Sequence, residues 1–156
     1  MLSVLLYKYQ KLYIGKIKSM EFVKYLILIG LTLVVFLLVD IVWLAKISPK
    51  FYKKYLGHLM ADKVNFPPAI IFYLIFVIGS TLFVTGPAVV DGRGWVYAVI
   101  YGGIFGFVTY STYDLTNYAT LKSWPLKVTL IDIVWGTFLS TATSTIVYFI
   151  AVLLGV

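Results

Sequence analysis

The chain contains no cysteine. Disulfides, thiolate metal sites and cysteine nucleophiles are therefore excluded, although the compartment is left open. Charge is also scarce. Only 12% of the 156 residues are Asp, Glu, Lys or Arg, against about a quarter in a soluble domain. Six residues are acidic and His58 is the single histidine, so a zinc site has too few ligands. Apolar residues fill the gap. Hydrophobic residues make up 62% and aromatics 18% of the chain, with a mean hydropathy of +0.98. This is the composition of an integral membrane protein, one domain with room for about four spans of roughly 20 residues each. The formal net charge of +7 comes from loop lysines. It reads as contact with the anionic headgroups of membrane lipids, with no nucleic-acid partner.

Residues 1–19 carry Lys8, Lys11, Lys16 and Lys18 among Leu, Tyr and Ile. The stretch is too interrupted to span, and no small-residue cleavage site follows it. It reads equally as a basic interfacial helix or as an extension upstream of a start at Met20. Residues 20–156 then form a single membrane domain, with spans at about 22–45, 68–90, 95–117 and 126–154. Between the first two, residues 50–62 put Phe51, Tyr52, Tyr55, Leu56, Leu59 and Met60 on one helical stripe. Lys53, Lys54, His58 and Asp62 lie off it, which predicts a short amphipathic helix in the interface. Pro67 and Pro68 suit the first turn of the second span. Gly86-Pro87 predicts its kink or end, and Asp91-Gly92-Arg93-Gly94 a tight turn. Gly102 and Gly106 have the small-xxx-small spacing that brings helices close, as in a homodimer. Ser140, Thr141, Thr143, Ser144 and Thr145 suit tight packing and interhelical hydrogen bonds. The expected fold class is all-α: a four-span membrane helix bundle with one short amphipathic interfacial helix between spans 1 and 2.

The tetrapeptide Asp-Ile-Val-Trp occurs twice, at Asp40-Ile41-Val42-Trp43 and at Asp132-Ile133-Val134-Trp135. Both copies sit in apolar runs, where a carboxylate costs several kcal/mol unless partnered. They fall on spans 1 and 4, which run oppositely, so they do not mark a duplicated helix pair. Four alternating spans place Asp40, Asp114 and Asp132 on one side of the membrane. At 1.5 Å per residue, Asp40 and Asp132 lie about 9 Å inside, with Asp114 nearer the surface. Trp43 reads as an interfacial anchor. Trp135 lies a turn deeper than its Asp and reads as cavity packing. The expected pocket is Asp132–Trp135 beside Asp114, with Asp40–Trp43 as its rim. Tyr110, Asp114 and Asn117 share one helical face, with Tyr113 beside it, forming a pocket wall. The bland alternative for each is structural: carboxylates bonded to hydroxyls or indole N–H groups, a helix emerging into water, and a solvated His58.

Crowded carboxylates in a low dielectric suit proton transfer. Alternatively they hold a hard divalent cation such as Mg, which takes oxygen ligands and bridges to phosphate. Asp114 or Asp132 would then act as general base or metal ligand, with Asp40 as the second carboxylate. His58 would be an acid or base oriented by Asp62 at i+4. Asn117, Tyr110, Tyr113, Trp135, Trp43 and Lys54 would contact substrate. Intramembrane aspartyl proteolysis is set aside, because that chemistry needs Gly-x-Gly before its second Asp and Thr129-Leu130-Ile131 precedes Asp132. With a start at Met20, the lysines of the Asp-side loops put that side in the cytoplasm.

Six strings occur in order: the Asp40–Trp43 run, Phe51-Tyr52 with Leu56-Gly57-His58, Pro68-Ala69 with Phe72-Tyr73, Thr112-Tyr113-Asp114-Leu115-Thr116-Asn117, Lys122-Ser123-Trp124-Pro125, and Asp132-Ile133-Val134-Trp135-Gly136. Together they resemble a family of small bacterial predicted membrane proteins of unknown function, over about residues 20–154. The resemblance implies a four-span, multi-pass protein of the bacterial inner membrane and carries no activity with it. Three functional classes follow from the residues. The first binds or modifies a lipid or isoprenoid headgroup. The second is a small proton- or cation-coupled transporter. The third is a non-catalytic membrane accessory protein.

Overall fold

In a computed structural model the backbone is described from Leu2 to Val156, and side chains at Ile14, Gly15 and from Ser19 onward. The lysines behind the reading of residues 1–19 lie outside the described side chains. Among the described residues the secondary structure is entirely helical. Long apolar runs impose this, since a helix satisfies its own backbone N–H and C=O groups without water. Helix α1 covers Leu2–Lys46, α2 Ser48–Leu56 and α3 Phe66–Ser80. A π-helical turn over Thr81–Thr85 joins α3 to α4, Gly86–Val89. Helices α5, Gly94–Thr120, and α6, Leu126–Leu154, complete the chain.

Three stretches are long and apolar enough to cross a membrane: Ser19–Lys46, Phe66–Val89 and Leu126–Leu154. Helix α5 has the length, 27 residues. The hydroxyl-rich run over residues 109–120 dilutes its apolar character, so composition supports three spans where four are expected. The start of the fourth expected span is met at Leu126, where Pro125 stands as N-cap in extended conformation. Its end is closed by Gly155 in the left-handed region (φ 71°), with the Val156 N–H returning to the Ala151 carbonyl at 3.0 Å. Glycine takes that conformation without a Cβ penalty.

The loop helix is shorter than its pattern predicts. Pro49 sits in the first turn of α2, and the helix stops at Leu56. Phe51, Tyr52, Tyr55 and Leu56 are half-buried, whereas Leu59 and Met60 lie beyond the helix and are exposed. The aromatic stripe turns towards α1, with the Phe51 ring 6.4 Å from that of Trp43.

Gly86-Pro87 neither ends nor breaks the second span. The preceding π turn absorbs the proline, with the Gly86 N–H reaching back five residues to the Thr81 carbonyl. Pro87 has no N–H for the carbonyl of Phe83, four residues earlier. The Tyr97 hydroxyl of α5 donates to that carbonyl instead, at 3.3 Å.

Among the described residues, helices α5 and α6 pack against each other most extensively. A Cβ at Gly102 would strike Ser144, one at Gly106 the carbonyl of Gly136, and one at Gly136 the ring of Tyr110. The Ser144 hydroxyl donates across the interface to the Ala98 carbonyl at 2.8 Å. The glycine pair that could have served a homodimer is therefore used within the chain. Thr137, Thr141 and Thr145 bond back into α6, to carbonyls four residues earlier. Two apolar clusters hold the bundle: Leu28, Val35, Val147 and Ala151 at one end, and Phe36, Phe76 and Leu139 below the site.

Replacing Gly106 with Leu drives a side chain into the backbone of α6, which cannot rotate aside. The expected cost is about 1–3 kcal/mol of overpacking, read as a lower Tm in detergent. Gly30, where an added Cβ would meet nothing within 4 Å, is the control: Gly30→Ala leaves the Tm unchanged or raised.

Candidate functional site

One end of the bundle encloses a cavity of about 460 Å³. It is walled by α1 near its end, by α3 at Phe72–Phe76, by α5 at Thr109–Asp114, by α6 at Asp132 and Trp135, and by Tyr52 of α2. Helix polarity explains the convergence, because successive antiparallel helices bring alternate ends together. Asp40, Asp114 and Asp132 all line it. Counted from the helix ends at Lys46, Thr120 and Leu126, each is six residues in, or about 9 Å. Asp114 is thus level with the other two rather than nearer the surface, because α5 continues three residues past the expected end of its span.

Each carboxylate has a different set of partners. Asp40 is 6% exposed. It accepts from the Tyr73 hydroxyl at 3.1 Å and from the Trp135 indole N–H at 3.4 Å. Asp132, also 6% exposed, accepts from the Tyr52 hydroxyl at 2.8 Å. Asp114 is fully buried, and neither of its oxygens accepts a hydrogen bond among the described residues. A buried polar group without a partner costs free energy, and a buried charge much more.

The two Asp-x-x-Trp copies meet each other across the cavity. Trp135 donates to Asp40, the acid of the other copy. The Trp43 and Trp135 rings stack, with centroids 4.7 Å apart and planes 12° from parallel. Trp43 is buried, so the expected interfacial anchor is a wall of the site. The expected division into pocket and rim does not hold either, since both copies line one cavity. Offset stacking of this kind contributes about 0.5–1.5 kcal/mol beyond area burial.

Seven of the ten residues expected at the site line the cavity: Asp40, Asp114, Asp132, Trp43, Trp135, Tyr110 and Tyr113. Three do not. His58 is exposed in the turn after α2, and the helix expected to hold it one turn from Asp62 ends before both residues. Lys54 is exposed, with its ammonium 5.3 Å from the centre of the Tyr55 ring. Asn117 is half-buried, one turn beyond Asp114 on α5. Sequence reasoning gave no role to Tyr52 and Tyr73, the two hydroxyl donors. Both stand inside the ordered strings, in Phe51-Tyr52 and Phe72-Tyr73, and that was the available signal. Among the described residues, no three His, Asp or Glu side chains are grouped so as to hold a metal ion. The three carboxylates stand on different helices, and two of them accept from tyrosine hydroxyls.

Two tyrosines of α2 have opposite surroundings. Burial, the charge of Asp132 and the hydrogen bond to it hold the Tyr52 phenol well above its ordinary range. Tyr55 is half-buried, and Lys127, with help from Lys54, holds it below that range. The Lys127 ammonium is 5.4 Å from the Tyr55 ring centre.

The fold defines an all-helical membrane protein with long apolar helices. The chain belongs to the family described as Predicted membrane protein (DUF2177), whose family model matches residues 25–149. No curated protein and no solved structure matches it.

A double-mutant cycle on Tyr52→Phe and Asp132→Asn should give a coupling of about 1.5–3 kcal/mol, the range for a hydrogen bond to a charged group. In an alkaline titration, Tyr55 ionises before a free tyrosine and Tyr52 after it, and Lys127→Ala moves the early step upward. Because the folded chain holds the Tyr52 proton more tightly than the unfolded chain, this contribution to stability is complete below pH about 10 and is lost above it. Denaturation across that range checks the sign.

Proposed function

We propose that this chain is a four-span membrane protein whose carboxylate cavity receives the headgroup of a membrane lipid. The observation that carries this reading is the placement of the cavity. Its three carboxylates lie about 9 Å from the helix ends, the depth at which headgroups meet acyl chains, and its walls combine aromatic rings with polar groups. For α5 as the fourth span, support comes from its outward face, where Ile100, Ile104, Phe107, Val108 and Leu115 are all exposed. A run of that kind marks contact with lipid or a partner. The outward faces of α1, α3 and α6 are equally apolar. In this reading α2 rests in the interface, and the site residues are Asp40, Asp114, Asp132, Tyr110, Tyr113, Trp43 and Trp135. Transporter sites sit near the midplane, which the carboxylates do not approach, so the headgroup reading is preferred to transport.

The reading is tested by native mass spectrometry of the chain released from membranes. Wild type is expected to retain one lipid, and Trp135→Ala, which removes a wall of the cavity, to lose it. Equal retention in both proteins, or a stripped wild type that takes up no lipid on re-addition, would overturn it.

A further inference from the structure

Resting on that reading, we infer that the group seated in the cavity is an organic ammonium, held against Asp114 and surrounded by the rings of Tyr110, Tyr113 and Trp135. The three carboxylates are not equivalent. Asp40 has two donors and Asp132 has one, all from within the protein. Asp114 lines the same cavity and is fully buried, and among the described residues neither of its oxygens accepts a hydrogen bond. The missing partner is therefore a donor, and a cationic one completes the site best. Aromatic faces attract ammonium groups through the ring quadrupole and form the cages that recognise quaternary ammonium.

The same chemistry excludes a phosphate from the interior. Among the described residues, the lining contains no lysine or arginine, and three carboxylates would repel an anion. Cations do stand outside. Lys54 and Lys127 flank the ring of Tyr55, which lies one helical turn from Tyr52 and its bond to Asp132. Negative charge inside and positive charge one turn away match a zwitterion, with its ammonium inward and its phosphate against the lysines. Phosphatidylethanolamine has this chemistry, and so does a water-soluble phosphoethanolamine.

The test uses the full chain in detergent, stripped of lipid, with binding measured by native mass spectrometry. Phosphatidylethanolamine and phosphatidylglycerol of identical acyl chains are compared. The expected result is preference for phosphatidylethanolamine by about tenfold or more, the scale of a lost charge-assisted hydrogen bond, and its abolition in Asp114→Asn. Methylammonium, which carries N–H donors, should displace the lipid from the wild type, an arm that needs no variant to fold. Equal binding of the two lipids, insensitive to methylammonium, overturns the ammonium inference while leaving the lipid reading standing. Binding of phosphoethanolamine without either lipid upholds the ammonium and overturns the lipid source. Binding of none of these ligands overturns both.

Discussion

A carboxylate placed among apolar helices needs donors that its own helix cannot supply, because the neighbouring N–H groups are already spent on the helix ladder. The arrangement of the site end of the bundle answers this need. Asp40 on α1 draws on Tyr73 of α3 and Trp135 of α6. Asp132 on α6 draws on Tyr52 of α2. Four helices are thereby tied at one level by three hydrogen bonds, each joining residues distant in sequence. Directional bonds of this kind fix the rotation of each helix, which apolar packing alone leaves loose. The Trp43–Trp135 stack sits between the tied positions and keeps the two indoles in one orientation.

The other determinant is steric. Gly102, Gly106 and Gly136 let α5 and α6 approach until backbone meets side chain. That contact sets the distance from Asp114 to the rest of the cavity, because α5 is placed chiefly by α6. The Tyr110 ring lies over Gly136, so one glycine both admits the close approach and makes room for a wall of the site. The Phe36–Phe76–Leu139 cluster below closes the cavity floor with three different helices.

Much of this was legible in the sequence. The membrane class, the start of α6 after Trp124-Pro125, the tight use of Gly102 and Gly106, and the shared level of Asp40 and Asp132 all follow from spacing and composition. What was not legible is which faces meet. Helical periodicity says that Tyr52 and Tyr55 lie one turn apart, but not that one enters a cavity while the other faces two lysines. The Tyr52–Asp132 bond spans 80 residues and the Tyr73–Asp40 bond 33, so no local pattern encodes either. The apolar stripe continues through Leu59 and Met60 although α2 stops at Leu56, so periodicity alone overstates the helix. The π turn left no sequence mark beyond Pro87 itself.

That turn bears on how two of the helices are joined. The Phe83 carbonyl finds no N–H at Pro87, four residues on, and accepts from the Tyr97 hydroxyl, on the far side of the tight turn at residues 91–94. In hydrocarbon a bare carbonyl costs several kcal/mol. Helices α3 and α5 are thereby joined at the break that Pro87 makes, so the hairpin from Phe66 to Thr120 carries its own repair of the helix ladder.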